Sequence, residues 1–285
     1  MGNNKNLIVD LDSSLLNIDL FKELFLKALL KRPIVFFKAM LLASKSKVEA
    51  KSYVARKITF DVESLPYNED VIKTIEYYKD SGFRIVLATG AAEIHANLIS
   101  NHIGLFSDVI STKKINCIGQ NKLNLINKKI SQEGFIYIGD SKNDIPIWRF
   151  CKKAILINRG NRIKETLKIL KVDIIKEIKI NKSFKIILKQ IRIHQWAKNL
   201  LLFLPALTSH QIFDPTIFLN SFKAFFSFSM FASSVYVFND IIDLDHDRKH
   251  YSKKNRPIAC GELSILKAYI ILSVCFVFGS TIALS

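Results

Sequence analysis

Two aspartates near the start of the chain, Asp10 and Asp12 in LIVDLDSSLL, follow an apolar run and lie two residues apart. On an extended strand that spacing turns both carboxylates to the same face. Such a pair repels itself unless a cation or a phosphoryl group shares it, and open α/β sheets bind ligands at the carboxyl ends of their strands. Alone, an Asp-x-Asp pair more often marks a loop or a helix cap. Here Thr89 ends an apolar run in LATG, Lys122 lies in IGQNKLNLI, and Asp140 and Asp144 follow the apolar run of IYIGDSKND. Every functional type that phosphoryl transfer needs therefore occurs at an expected strand end or helix start.

A second acidic cluster stands far downstream, in VYVFNDIIDLDHDRKHYSKKNRPIACGELS. Asn239, Asp240, Asp243 and Asp247 recur at three- and four-residue spacing, which stacks them on one face of a helix. Like charges so placed weaken a helix end. Divalent ions bridging to a diphosphate would offset that cost, with Arg248, Lys254 and Arg256 at hand for phosphate oxygens. A solvated charge cluster is the plainer reading of an acidic group alone. His246 and His250 have metal-compatible spacing, although a polar loop explains them better.

The elements that must position these groups are legible as periodicity. Short apolar runs at 7–9, 84–88, 109–110, 135–138 and 154–157 read as buried parallel strands, with helical patterns between them. Strand and helix alternate, so the first part is expected to be an α/β doubly wound parallel sheet over residues 1–165. The interval 19–62 is too long for one crossover and reads as an inserted helical cap. Its Lys-studded amphipathic pattern suits either packing on the core or resting on lipid headgroups. Residues 166–190 are rich in Lys and Ile and read as a basic linker leading into an interfacial helix. Residues 191–285 read as an all-α membrane segment.

In that last part, 217–238 and 263–284 are long enough to cross a bilayer, which takes about 20 residues, whereas 200–207 is short and interrupted by Pro205. Basic residues crowd the region before Asn199 and return from Arg248 to Arg256, which places both flanks in the cytoplasm and residues 209–215 on the far side. The full sequence of 285 residues is 49% hydrophobic yet carries 42 Lys+Arg against 25 Asp+Glu, a formal +17. Because the positive charge flanks apolar segments rather than alternating with exposed aromatics, it points to membrane and phosphate and away from nucleic acid. Cys117, Cys151, Cys260 and Cys275 show no paired spacing, which suits a reducing compartment. The N-terminus lacks a signal peptide's long apolar region, so the first domain is expected to stay cytoplasmic.

The four motifs at Asp10/Asp12, Thr89, Lys122 and Asp140/Asp144 resemble those of the haloacid dehalogenase superfamily of phosphatases over about residues 6–158. The resemblance implies a Rossmann-like fold, Asp10 as nucleophile forming an aspartyl phosphate, and Asp12 as the acid and then the base. It further implies Thr89 and Lys122 as phosphate ligands, and Mg2+ held by Asp10, Asp140, Asp144 and the Asp12 carbonyl. Ser13 and Ser14 stand where the family usually has Gly and Thr. A phosphotransferase or phosphomutase could use the same aspartyl intermediate. The downstream N-D-x-x-D-x-x-x-D with N-R-P-I-A-x-G looks like the first aspartate motif of the UbiA family of membrane prenyltransferases. HQWAKNLLLFLPAL is similar to the entry helix of a decaprenyl-phosphate phosphoribosyltransferase subgroup. That implies a diphosphate donor and Mg2+ at Asn239, Asp240, Asp243 and Asp247, a polyprenyl phosphate acceptor, and Lys198, beside Asn199, contacting an anionic substrate. Members of that family carry more membrane helices and a second aspartate motif. The chain is therefore expected to hold an incomplete UbiA-type bundle, as a truncated product, a fragment or one piece of a split enzyme.

These implications combine into a multi-pass protein of the cytoplasmic membrane acting in cell-envelope chemistry. A transferase would make a polyprenyl-phosphate-linked phosphosugar, and an attached phosphatase would remove its terminal phosphate. Fusion would keep the intermediate at high effective concentration. Two other readings share the sequence: an aromatic prenyltransferase fragment beside an unrelated phosphatase, and a non-catalytic membrane-anchored subunit.

Overall fold

The computed structural model describes residues 5–130, 134–151, 153–158, 160–180 and 183–285. It divides into two units, Met1–Lys182 and Ser183–Ser285.

The first unit is built on a parallel sheet whose central strands arise where branched apolar residues run together. The sheet's strands are β1 (Asn6–Val9), β2 (Arg84–Ala92), β3 (Asp108–Thr112), β4 (Phe135–Gly139), β5 (Lys153–Asn158) and β6 (Asp173–Lys179). Their order is β3-β2-β1-β4-β5-β6, and every pairing is parallel. Alternation along β1 feeds two cores: Leu7 and Val9 join the one that includes residues of the inserted helices, while Ile8 joins the one around Trp148. The order reverses at β1, where β2 and β4 flank it, and that reversal opens a crevice at the strands' carboxyl ends.

Two departures from the expected elements have physical causes. β2 continues past Thr89 to Ala92, with a register shift against β3 between Ala88 and Ala92. Residues 166–180, expected as linker, instead contain the end of the helix Asn161–Ile169 and all of β6. The Lys content that suggested a linker belongs to an edge strand, where charged side chains guard unpaired backbone. Glu177 on β6 accepts from Asn158 at 2.6 Å and pairs with Lys164. Asn181 and Lys182 lie outside the described residues.

Between β1 and β2 stand three helices, α1 (Leu20–Lys31), α2 (Pro33–Lys45) and α3 (Lys47–Lys57). Asp19 caps α1 by accepting from the Lys22 amide, Pro33 opens α2, and Ser46 caps α3 by accepting from the Glu49 amide.

The turn that leads from β1 toward these helices carries local strain. Ser13 has φ of 59° and ψ of 11°, the left-handed region that a glycine adopts without cost. Ser13→Gly is therefore expected to leave the fold intact and raise its stability by up to about 1 kcal/mol, read by thermal unfolding of the full chain.

The second unit holds two helices long and apolar enough to cross a membrane, Pro215–Ile242 and Ile265–Ala283. They approach closely at Gly279, where an added Cβ would sit 3.2 Å from the Ser227 carbonyl, and the Ser227 hydroxyl donates to the Gly279 carbonyl at 2.8 Å. The apolar stretch at 200–207 is shared between a 3-10 run, Ile193–Phe203, and the five-residue helix Leu204–Thr208. Trp196 and Asn199 fasten that run by donating to the Ser233 and Ser229 hydroxyls at 3.0 and 2.9 Å.

Candidate active site

Asp10 is the first residue beyond β1, and its backbone amide donates to the Ile138 carbonyl of β4 at 3.0 Å. That bond fixes the carboxylate at the reversal point of the sheet. Lys122, on the helix Gln120–Lys129, donates to Asp10 Oδ1 at 2.7 Å, to the Tyr137 hydroxyl at 3.0 Å and to Asp144 Oδ1 at 3.5 Å. The Tyr137 hydroxyl donates in turn to Asp144 Oδ1 at 2.7 Å. Asp144 lies in the 3-10 turn Lys142–Asp144 after β4, where its other oxygen accepts from the Ser141 amide and hydroxyl at 3.1 and 3.0 Å. Gly139 makes room for this cluster, since a Cβ there would sit 2.6 Å from the Tyr137 ring and 2.8 Å from the Asp144 carboxylate.

Asp10, Asp140 and Asp144 each present a carboxylate oxygen, and the three atoms lie within 4.8 Å of one another. One hard divalent cation fits such an all-oxygen set. Asp12 is half-buried, and its carboxylate accepts from the Leu20 amide at 2.8 Å. Burial pushes the Asp12 carboxyl up to about 7, helped by the neighbouring charges of Asp19 and Asp10. Burial likewise pushes Asp10 up to about 6, outweighing the attraction of Lys122. Although burial alone would lower it, Asp10 and Asp144 hold the Lys122 ammonium above its ordinary pKa. The site thus combines a charged ammonium with carboxylates that take protons near neutrality.

A cavity of about 450 Å³ opens over these groups, and Asp10, Asp12, Asp140, Asp144 and Lys122 all line it. Thr89 is fully buried and accepts from the Ala91 amide at 3.0 Å, while its neighbour Gly90 reaches the cavity wall. The inserted helices close the other side and bring Lys22, Lys47 and Lys51 to it. Lys51 donates to the Gly90 carbonyl at 2.6 Å and to Asn116 Oδ1 at 2.8 Å. Reading along the sequence missed Lys51 and Tyr137. Lys51 looks like one of many cap lysines, and Tyr137 like an interior strand residue. Alternation along β4, with β1 as a guide to which face is functional, was the available signal for Tyr137.

In the second unit, the acidic motif divides. The long helix ends at Ile242, so Asp243 caps it and Leu244–Lys249 forms a separate short helix. Asn239, Asp243 and Lys254 are exposed, whereas Asp240 and Asp247 are buried. Arg256 donates to both, at 3.0 Å to Asp240 and 2.6 Å to Asp247, and Arg192 and Gln190 each donate to Asp240 at 2.7 Å. Arg248 is buried and donates to the Ala259 carbonyl at 3.0 Å. Lys198 is exposed on the 3-10 run. His246 and His250 are both exposed. Arg192 was not foreseen, because it lies far from the motif in sequence.

Comparison with known proteins agrees with this division. Residues 7–149 match the model of the family described as haloacid dehalogenase-like hydrolase, and residues 200–285 match the UbiA prenyltransferase family. The uncharacterized protein y4nM of Sinorhizobium fredii is 30% identical over 281 residues, covering 98% of this chain and 54% of its own. Nodulation protein NoeC of Azorhizobium caulinodans is 38% identical over 94 residues, 33% of this chain and 30% of its own. Decaprenyl-phosphate phosphoribosyltransferase of Mycobacterium tuberculosis is 37% identical over 99 residues, 33% of this chain and 32% of its own. The chain therefore spans about half the length of the first of these relatives and about a third of the other two.

Proposed function

We propose, because the chain belongs to the haloacid dehalogenase-like hydrolases and carries a UbiA prenyltransferase-family segment, that its first unit is a Mg2+-dependent phosphomonoesterase serving a lipid-linked sugar pathway. The observation that carries the hydrolytic reading is the convergence of Asp10, Asp12, Asp140, Asp144 and Lys122 on one cavity. Asp10 attacks the phosphorus and releases the leaving oxygen, to which Asp12 gives its proton. Asp12 then takes a proton from the water that hydrolyses the aspartyl phosphate. A carboxyl raised to about 7 can do both near neutral pH. Lys122 offsets charge on the transferring oxygens, while Thr89, buried and accepting from the Ala91 amide, would act only by positioning the neighbouring Gly90 backbone at the cavity wall. Asp10, Asp140, Asp144 and the Asp12 carbonyl would hold Mg2+, which supplies positive charge to the phosphoryl oxygens.

The sugar-lipid assignment rests on the activity for which the mycobacterial relative is named and on the three lysines at the cap side of the cavity, which suit a leaving group bearing its own phosphate. In the second unit, Asn239, Asp240, Asp243 and Asp247 with Arg248, Lys254 and Arg256 would hold a Mg2+-bound diphosphate donor. Lys198 would meet the polyprenyl phosphate. The basic flanks favour the cytoplasmic side of the membrane for the first unit.

The test uses the full chain in detergent with Mg2+ and measures phosphate release from a phosphoribosylated polyprenyl phosphate and from soluble sugar phosphates. Preferential release from the lipid is expected. Hydrolysis of the soluble esters alone would favour an aromatic prenyl acceptor for the second unit, and no hydrolysis of either would remove the phosphatase reading.

A further inference from the structure

The cap helix α2 is an apolar helix that the first unit does not bury. Of its thirteen residues only Ala39 is buried. Phe36 turns inward, its ring 4.6 Å from that of Phe25 on α1. On the outer side Ile34, Phe37, Met40 and Leu41 are 81%, 53%, 45% and 65% exposed. Ile34, Phe37 and Leu41 recur at three- and four-residue spacing, so they form one stripe along the helix. A soluble domain seldom leaves four large apolar side chains together in water unless something covers them.

Charge identifies the cover. Between residues 19 and 47 the exposed cations are Lys31, Arg32, Lys38, Lys45 and Lys47, together with Lys22, which pairs with Asp19 at 2.7 Å, while Lys27 and Glu23 are buried. Lys38 and Lys45 are exposed on α2 itself and share the side of the helix that carries Ile34 and Leu41. An apolar stripe set among cations matches an anionic lipid surface, where the stripe enters the acyl boundary and the ammonium groups meet headgroup phosphates. A bilayer is within reach, because the same chain carries two helices long and apolar enough to span one. We propose that α2 is a monotopic membrane contact which lays the cap on anionic lipid. Ala43, on the face of α2 opposite the stripe, and Lys47 line the cavity, so this contact would hold the cavity one helix diameter, roughly 10 Å, from the lipid surface, within reach of a lipid-linked phosphate.

The test needs no enzymatic activity. A Phe37→Trp variant of the full chain is placed in nanodiscs of equimolar phosphatidylcholine and phosphatidylglycerol, and its emission is read as the difference from the parent chain. The expected result is a blue shift with quenching strongest for lipids brominated about 5–10 Å below the headgroup level. Adding Lys38→Glu and Lys45→Glu should reduce that quenching. Emission that stays at the wavelength of a water-exposed indole would overturn the proposal. A blue shift without lipid quenching would also overturn it, by showing a protein partner or a second copy on the stripe. Quenching unchanged by the two charge reversals would overturn the assignment to anionic lipid.

Discussion

Asp10→Asn is expected to lower Mg2+-dependent phosphomonoester hydrolysis by at least about 1,000-fold while leaving the chain folded. The amide keeps the shape of the carboxylate and can still accept from Lys122, but it is not a competent nucleophile toward phosphorus. It also removes one negative charge from the three-carboxylate cluster whose oxygens lie within 4.8 Å of one another, leaving only a neutral carbonyl oxygen at that position. The loss should therefore fall on kcat, with higher Mg2+ failing to restore it. Phosphate release by the full chain in detergent, compared at low and saturating Mg2+, measures this directly. Equal rates in the two proteins would show that the carboxylate at the end of β1 is not the nucleophile, and the proposed mechanism would fall with it. Asp12→Asn separates the two acidic roles. Its carboxylate is not one of the three clustered ligand groups, so its loss should slow leaving-group departure more for poor leaving groups than for good ones.

The parts of the site that could be read along the chain are those whose chemistry contradicts their neighbours. Asp10, Asp140 and Lys122 stand out because a charged residue at the end of a buried apolar strand, or at the start of a helix behind one, has no packing reason to be there. The parallel sheet was legible for the same reason, since runs such as LIVD and FIYIG suit strands covered on both faces. β6 was not, because an edge strand carries the Lys and Glu that otherwise mark solvent-exposed linker. Lys51 and Arg192 were hidden by distance. Lys51 meets groups 39 and 65 positions away, and Arg192 meets a carboxylate 48 positions away, so only the fold brings these partners together. The acidic motif of the second unit shows the limit of spacing arguments. Asn239, Asp240, Asp243 and Asp247 stack on one face only if the helix continues, and it stops at Ile242.

Lys122→Met is expected to destabilise the first unit by about 3–5 kcal/mol at pH 8, because it leaves Asp10 and Asp144 as buried carboxylates without their cation. The deficit should depend on pH with a definite sign. Asp10 titrates at about 6 in the folded chain against an ordinary 3.8, and removing the attraction of Lys122 raises it further. A carboxyl raised on folding binds more protons in the native state, so stability is greatest below the ordinary value and falls as pH rises through the folded one. The difference between 3.8 and about 6, roughly 3 kcal/mol, is present in the parent chain as well, so the pH dependence of the deficit comes from the further rise when Lys122 is removed. The variant should accordingly lose little at pH 5, where Asp10 takes up a proton, and most at pH 8, where it cannot. Mg2+ should narrow the gap at pH 8, since a cation held by Asp10, Asp140 and Asp144 restores positive charge to the cluster. Thermal unfolding of both full chains in detergent at pH 5 and pH 8, with and without Mg2+, tests all three statements. A deficit that is flat in pH would mean that Lys122 acts by filling space, with Asp10 neutral throughout, and the nucleophile would then need another route to its charged form.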